Sequence, residues 1–497
     1  MAKRREFSTL LFSELTDGLT VLHRQGESGV PVGGIACDSR KVKPGDVFVA
    51  IEGFRTDGHL FAGEALKRGA AALVVGKPVV VPADIPLVRV SDTRLALALI
   101  SARFYGYPGR RLKLAGVTGT NGKTTTTYLL RAVYRAAGAR VGLIGTVANW
   151  IEERKMPVTH TTPESLDLQK ILSEMADAGV DTVVMEVSSH ALALKRVEGC
   201  SFETAVFTNL TQDHLDFHKD MRHYLAAKKI LFEKAEKIAV INSDDPAAPE
   251  LRAAARAATV SYGIREKADV TAEEISVQRK GTSFLVRTPW GKAAVNLKLT
   301  GYFNVYNSLA ALAAGGAAGI PLPVMVRALE GVAGVPGRFE LVDRGQDFTV
   351  VVDYAHTPDG LENLLKTARQ LCGGRLIAVF GCGGDRDRTK RPLMGEIAAC
   401  YSDLPVITSD NPRTEDPLRI IADIEEGMRK VRRPEDYVVI PDRRRAIEYA
   451  VGAALAGDVV VIAGKGHEDY QIIGAEKLPF DDREEAARAL EKRMGNF

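Results

Sequence analysis

Residues 112–130 read LKLAGVTGTNGKTTTTYLL, and the fold turns on how this stretch is read. An apolar run leads into a Gly-rich turn and then into a second apolar-periodic segment. Strand, turn and helix in that order are the layout of a phosphate-binding loop. The usual spacing is G-x-x-x-x-G-K-[ST], but Val117 stands where the first glycine belongs and Gly116 comes one place early. Gly119 and Gly122 let the backbone curl so that successive N–H groups, with Thr120 and Asn121 between them, face inward. The loop feeds a helix N-terminus, whose free N–H groups and dipole favour an anion. Lys123 can reach terminal phosphates, and Thr124 can place its hydroxyl on Mg2+. Four successive threonines, Thr124 and Thr125 among them, are poor helix formers, so their place at a helix start points to use. Without a nucleotide, the stretch is a strand-to-helix turn with a chance lysine.

The bulk properties narrow the class. The chain has 497 residues, enough for two to four domains. It is 45% hydrophobic and 26% charged, as globular proteins are. A net charge of +3 gives no support to a general nucleic-acid or membrane role. No apolar run approaches the ~20 residues of a spanning helix. The basic start MAKRREFSTLLFSEL is interrupted by Glu6, Ser8, Ser13 and Glu14 and reads as no signal peptide. Cys37, Cys200, Cys372, Cys382 and Cys400 are scattered and odd in number, which suits buried thiols in a reducing cytoplasm better than a disulfide framework or a zinc site.

The pattern divides the chain into three α/β domains, 1–108, 109–337 and 338–497. The first mixes short strands (Val47–Ile51, Ala71–Val75, Pro86–Val90) with short helices (Phe61–Arg68, Arg94–Tyr105). YGYPGRR, at 105–111, reads as a linker. In the central part, ARVGLIGT, DTVVMEVSS, TAVFTNL and KIAVINSD are continuous apolar runs separated by helical patterns, which predicts a mostly parallel sheet covered on both faces. Residues 259–300 read as antiparallel, with a hairpin in TSFLVRTPWGKAAVNLKL. After VAGVPGRFE the alternation restarts. TVVVDYAH, RLIAVFGCGG, LPVITSDN, YVVIPD and DVVVIAGKG are five buried-strand candidates of an open α/β domain, whose ligands belong at the strands' carboxyl ends.

Further candidates stand at strand ends. DTVVMEVSSHAL carries Glu186, Ser188, Ser189 and His190. A carboxylate there suits a metal ion, or is simply solvated. Asp213, His214 and Asp216 follow the next strand, and Lys228 sits on the helix after it. A helix lysine taken alone is a solvated cation, Arg338 a surface ion pair and Asp353 a helix cap.

TGTNGKT resembles the loop of the Mur ligases and of the related folylpolyglutamate ligases, and the resemblance can be followed along almost the whole chain. It implies a small N-terminal UDP-binding domain, a central P-loop ATPase-like domain and a C-terminal Rossmann-like domain. It implies ATP and Mg2+ as cofactors, with Glu186 and Thr124 on the metal. It marks the lysine of AAK, Lys228, as carbamylated and as a further Mg2+ ligand, and Lys123, Glu186, His214 and Lys228 as catalytic. Lys229 is adjacent, so the choice between the two rests on the resemblance. Asn304, Arg338 and Asp353 are implied ATP contacts: Asn304 near the base, Arg338 on phosphate, Asp353 on the ribose or at the hinge.

The branch of the family is implied by SDNPRTEDP. Asp410, Asn411, Pro412 and Arg413 resemble the DNPR signature of Mur ligases that add meso-diaminopimelate to a UDP-N-acetylmuramoyl-L-alanyl-D-glutamate carrier. An arginine can hold the far carboxylate of that amino acid in a two-pronged bond, which lysine, lacking the carboxylate, cannot use. Arg386, Gly464 and Glu468 are the other implied contacts to it, though GGDRDRTKR also reads as an ordinary charged loop. DSRKVKPGDVFVAIEGFRTDGH is similar to the UDP-sugar-binding domain of this branch, through Ser39 and Phe54–Arg55–Thr56. Thr161, Thr162, Ser188 and Arg196 are implied contacts to the muramoyl dipeptide. The family often has Gln two places before that arginine, where this chain has Leu194. The implied protein is a cytoplasmic monomer of peptidoglycan synthesis, serving cell shape and division, with small-molecule partners and no membrane span. A folylpolyglutamate ligase would share the loop but not DSR or DNPR, a lysine-adding Mur ligase would lack Arg413, and a phosphate-loop switch would leave both outer domains without use.

Overall fold

In the computed structural model, which describes residues 10–54, 56–158 and 160–495, the opening stretch forms strand Lys113–Thr118, a turn and helix Lys123–Ala136. The chain gathers into two units. The first holds the described residues up to Gly116, with Ala139–Thr204 and Lys234–Glu236. The second holds Val117–Gly138, Ala205–Glu233 and the described residues from Lys237 onward.

In the first unit a five-stranded sheet runs in the order Val21–Gln25, Leu87–Val90, Ala72–Val75, Asp46–Val49, Gly34–Ala36. Only the first pair is antiparallel. Thr182–Glu186 pairs in parallel with Val141–Ile144, and the antiparallel strands Asn149–Ile151 and Arg154–Met156 extend that edge. Neither these two strands nor Val21–Gln25 has an apolar run to announce it. The expected linker at 105–111 is a packed connector: Tyr107 takes a left-handed conformation (φ 52°), and Pro108 and Gly109 of the turn Pro108–Arg110 are buried. Gly109 packs beside Leu114 and Cys200.

In the second unit the paired residues Ile238–Asn242 of strand Ala235–Asn242, with Ala258–Gly263 and Val270–Gln278, are parallel, and Val270–Gln278, Gly281–Thr288 and Gly291–Leu297 are antiparallel. The antiparallel expectation for 259–300 therefore fails for its first strand. Ala258–Gly263 follows a helix, Ala248–Ala254, and a crossover helix returns the chain in the parallel sense.

The C-terminal sheet has six strands in the order Glu340–Leu341, Thr349–Asp353, Val459–Ala463, Leu376–Phe380, Leu404–Ile407, Val438–Val439. All pairs but the first are parallel. Side chains alternate between two buried faces. Val351, Ala378, Phe380 and Val461 meet Leu361, Leu365, Met394 and Ile424 on one face. Val350, Val352, Ile377, Val379, Val460 and Ile462 meet Ile447, Val451 and Leu490 on the other. Helix Pro358–Leu371 shows the local logic. Thr357 caps it through Gly360 N–H, Pro358 opens it, and Leu361, Leu364, Leu365 and Ala368 form one apolar stripe. Each large side chain so buried stabilises the fold by about 1.5–3 kcal/mol. YVVIPD departs from the expectation of a buried strand: only Val438–Val439 pair, at the sheet edge and partly exposed, because Pro434 and Pro441 bracket the run. Parallel pairing brings the exits of four strands, after Asp353, Phe380, Ile407 and Ala463, to one edge of this sheet.

Candidate active site

Gly119 (φ 150°) and Gly122 (φ 84°) carry the turn of the phosphate loop. A Cβ on Gly119 would stand 1.8 Å from Thr208 Oγ1, and one on Gly122 2.5 Å from Asn307 Oδ1. Neighbouring segments hold the loop's shape. Thr208 Oγ1 donates to Asn121 O (2.6 Å), Asn121 N donates to Asn209 Oδ1 (2.9 Å) and Thr120 N to Asn209 O (2.9 Å). Lys123 Nζ donates to Gly119 O (2.9 Å) and Thr120 O (2.8 Å). Its ammonium thus lies over the loop, where a phosphate can compete with the carbonyls. Thr124 and Thr125 are buried at the helix start. Asn304 is buried too, donating to Thr300 O (2.9 Å) and accepting from Asn307 Nδ2 (3.1 Å).

Lys228, on helix Met221–Lys234, is 1% exposed, with Nζ 4.2 Å from the Tyr224 ring centroid. Tyr224 OH and Thr120 Oγ1 share a 3.1 Å hydrogen bond that ties this helix to the phosphate loop. Burial, and then repulsion from Lys123, hold the Lys228 amine well below its ordinary pKa. Lys229 turns away toward Glu250, 3.5 Å off, and is partly exposed.

Asp213 gathers three basic groups: His214 Nε2 at 3.2 Å, Lys390 Nζ at 3.9 Å and His356 Nε2 at 4.0 Å. Burial would raise its carboxyl, but His214, Lys390 and His356 outweigh that and hold it well below the usual carboxylate range. His214 has φ 56°, and its N–H donates to Asp213 Oδ1 (2.9 Å). His356 donates from Nδ1 to Tyr354 O (2.8 Å), because a carbonyl can only accept, so Nε2 is the nitrogen presented to Asp213.

Arg338 Nη2 donates to Thr124 Oγ1 (3.0 Å), and its guanidinium lies 4.7 Å from the Tyr354 ring centroid. Asp353 accepts Phe339 N–H on Oδ2 and Ala355 N–H on Oδ1, both at 2.7 Å. It therefore serves the backbone of Phe339 and Ala355. Burial raises its pKa, and Arg338 opposes that.

The exits of the C-terminal sheet hold Asp410–Arg413, Arg386 and Gly464–Glu468. Arg413 takes φ 52° and donates from Nη1 to Gly384 O (2.7 Å). Burial, and then repulsion from Arg386, press its pKa down, so an anion beside the two arginines would relieve both effects. Gly384 and Pro412 pack so tightly that a Cβ on Gly384 would lie 1.9 Å from Pro412 O. Asn411 Nδ2 donates to Glu468 Oε2 (2.9 Å). Gly464 N donates to Asp353 O (3.0 Å), joining this turn to the end of strand Thr349–Asp353. Arg386 is exposed and donates to its neighbour's carbonyl, Asp385 O (3.0 Å).

In the first unit, Glu186 ends strand Thr182–Glu186 and is 1% exposed. Its oxygens accept Thr146 N (2.8 Å) and Thr146 Oγ1 (2.9 Å). Thr161 Oγ1 lies 3.0 Å from Thr146 Oγ1, and Thr162 Oγ1 donates to Glu186 O (2.8 Å). Ser188 donates its N–H to Thr162 Oγ1 (3.0 Å) and caps helix Ser189–Ala193. Arg196 Nη1 donates to Thr162 O (3.1 Å) and Nη2 pairs with Glu164 (2.6 Å). The structure thus brings together Glu186, Thr161, Thr162, Ser188 and Arg196. Ser39 is buried at a turn opened by Asp38, and Phe54 is 76% exposed. Thr56 O accepts Gly53 N–H (3.0 Å). Arg55 lies outside the described residues.

No group of three or more His, Cys, Asp or Glu side chains among the described residues could hold a metal ion. Mg2+ commonly takes one or two carboxylates and otherwise phosphate and water oxygens, and the buried strand-end carboxylate of Glu186 is a donor of that kind. The motifs do not single out Thr146, Thr208, Asn209, Tyr354 or Lys465. The first three follow strand ends (GLIGT, VFTNL) and were legible as exits, whereas Tyr354 and Lys465 act through partners distant in sequence.

Comparison with known proteins matches three segments in succession: 31–105 to "Mur ligase family, catalytic domain", 117–315 to "Mur ligase middle domain" and 337–466 to "Mur ligase, glutamate ligase domain". The chain is 52% identical over 480 residues, 95% of its length and 97% of the relative's, to the UDP-N-acetylmuramoyl-L-alanyl-D-glutamate–2,6-diaminopimelate ligase of Geobacillus thermodenitrificans. A solved structure of a ligase of that name is 36% identical, with TM-score 0.69, covering 98% of this chain and 100% of that one. MurF ligase from Thermotoga maritima in complex with ADP, at 20% identity and TM-score 0.64, covers 93% of this chain and 98% of that one and shares the fold. The off-pattern glycine turn, the strand-end carboxylate beside its threonines and the arginine turn of the last sheet occur in one chain that matches all three domains, and that chain belongs to the Mur ligase family.

Proposed function

We propose that this chain is an ATP-dependent ligase that joins meso-diaminopimelate to UDP-N-acetylmuramoyl-L-alanyl-D-glutamate. The family and the relatives at about half identity support the reaction class. One observation carries the amino-acid assignment: Arg413, half-buried and repelled by Arg386, donates to Gly384 O from a turn whose Asn411 reaches Glu468. Two cations here call for a carboxylate, and Asp410 and Glu468 offer charge to an ammonium. Meso-diaminopimelate carries both at its far end.

The residues divide the work as follows. The glycine loop, Lys123 and Arg338 take the nucleotide's phosphates, with Thr125 beside them and Asn304 near the base; the N–H groups of Thr120 and Asn121 stay on Asn209 and hold the loop's shape. Asp353 keeps the hinge in shape. Oxygen ligands for Mg2+ are assigned to Thr124, to Glu186 and to Lys228 as a carbamate; the ion, when bound, screens phosphate charge. A neutral amine is the form that adds CO2, and burial favours that form at Lys228. The acceptor's carboxylate displaces ADP and becomes an acyl phosphate. The amine of the incoming amino acid attacks it, a tetrahedral intermediate expels phosphate, and the nitrogen loses a proton. His214 stands by Asp213 as a group to orient or to move that proton. Ser39, Phe54, Arg55 and Thr56 are assigned to the uridine diphosphate, and Thr161, Thr162, Ser188 and Arg196 to the dipeptide. The domain limits 1–108, 109–337 and 338–497, a monomeric state, a cytoplasmic location and service to cell shape and division complete the proposal. No helix among the described residues is long and apolar enough to cross a membrane.

The test is a panel of amino acids offered with ATP and the UDP-muramoyl dipeptide, scored by product mass. A product with meso-diaminopimelate and a far smaller yield with lysine is expected; preference for lysine overturns the assignment.

A further inference from the structure

Lys465 is the second residue past strand Val459–Ala463, and its side chain is 0% exposed. A fully buried ammonium needs partners of opposite charge and complete hydrogen bonding. Lys465 Nζ donates to Glu468 Oε2 (2.9 Å) and Asn411 Oδ1 (3.1 Å), and lies 3.8 Å from Asp410 Oδ1. Asn411 is oriented by this cation. Its Oδ1 accepts from Lys465 and from Ile472 N–H (2.9 Å), so its Nδ2 must face Glu468, to which it donates. Asp410 Oδ1 is buried and has no hydrogen-bond partner. A buried carboxylate oxygen without a donor is costly, and a ligand N–H would satisfy it. Without a cation between them, Asp410 and Glu468 would repel each other across the pocket.

We infer that Lys465 is a positioning residue for amino-acid selection: it holds Asp410, Asn411 and Glu468 as one receptor, leaving Asp410 Oδ1 to take the distal ammonium of the incoming amino acid. The inference rests on the proposed function and adds to it the residue that organises the ammonium half of the pocket, Arg413 and Arg386 serving the carboxylate half. Lys465 touches the receptor groups, so its loss acts on amino-acid affinity more than on turnover.

The test uses the full-length enzyme and two amino acids, meso-diaminopimelate and 2-aminopimelate, which keeps the far carboxylate but lacks the distal ammonium. Wild type is expected to prefer meso-diaminopimelate by at least about tenfold in kcat/KM, the scale of one charged hydrogen bond. Lys465→Met is expected to raise KM for meso-diaminopimelate at least tenfold, to leave KM for ATP within about twofold, and to bring the two amino acids within about threefold of each other. Lys465→Gln, which keeps a donor toward Asn411 without the charge, carries the same test if the Met variant does not fold; an ATP-induced rise in melting temperature reports folding. A folded variant that keeps the wild-type KM and preference overturns the inference. Wild type that ligates neither amino acid overturns the proposed function instead.

Discussion

Arg338 Nη2 lies 3.0 Å from Thr124 Oγ1, although the two residues are 214 positions apart. This bond joins the start of the phosphate-loop helix to the segment that opens the last domain. Arg338→Ala removes a charged hydrogen bond, worth about 1.5–3 kcal/mol, so ATP affinity should fall about tenfold or more. Calorimetric titration with ATP checks this. Arg338→Lys should restore little, because lysine has no plane to lay on Tyr354. An unchanged Kd for ATP in the Ala variant would remove Arg338 from the nucleotide site.

Asp353→Asn should cost stability rather than charge recognition. Each carboxylate oxygen accepts one backbone N–H, and an amide has a single acceptor oxygen. One of the N–H groups of Phe339 and Ala355 would face an NH2 group, at a cost of about 1–3 kcal/mol. Denaturant unfolding of the two proteins measures it, and equal midpoints count against the hinge role.

His356 makes stability depend on pH in mild acid. Burial, and then the Lys390 ammonium, push its pKa down to about 4, with Asp213 and the Tyr354 carbonyl opposing them. The unfolded chain takes up this proton near pH 6.5 while the folded chain resists until about pH 4. The unfolded state then binds more protons, so stability falls as pH drops through that window and is flat above it. The ring is 35% open to solvent, which keeps the effect small. Unfolding midpoints at pH 7.5, 6, 5 and 4.5 should show a shallower acid loss in His356→Gln; parallel curves would discard the assignment.

Lys228→Ala should lower turnover by at least about 100-fold, the upper range for groups that tune a metal site. A small added carboxylate should restore part of it, standing in for the carbamate. Enzyme held in CO2-free buffer should lose activity and regain it with bicarbonate, and full activity in both settings would end the carbamate proposal.

Arg413→Ala should raise KM for meso-diaminopimelate about 10- to 100-fold, with KM for ATP little changed. The half-buried guanidinium leans on the Gly384 carbonyl and is repelled by Arg386, with Asp410, Glu468 and Asp385 opposing that repulsion. Steady-state kinetics with each substrate varied in turn separates the two effects, and a matching rise in both would point to general disruption.

Much was legible in the residues alone. Glycines at 119 and 122 before a lysine, continuous Val and Ile runs between amphipathic helices, and DNPR after a strand are local patterns. Backbone geometry and period-2 burial act within a few residues, so such patterns determine the loop, the doubly covered parallel sheets and the strand exits. Tertiary structure alone decided the partnerships. Adjacent residues on a helix point about 100° apart, and only packing shows that Lys228 is buried while Lys229 reaches Glu250. Asp353 reads as a ligand or a cap, and both its oxygens serve backbone N–H groups, those of Phe339 and Ala355. Asp213 collects a histidine and a lysine from the last domain, and Lys465 orders a turn more than fifty residues upstream. Long polar side chains find partners through the fold, and no spacing in the sequence encodes that meeting.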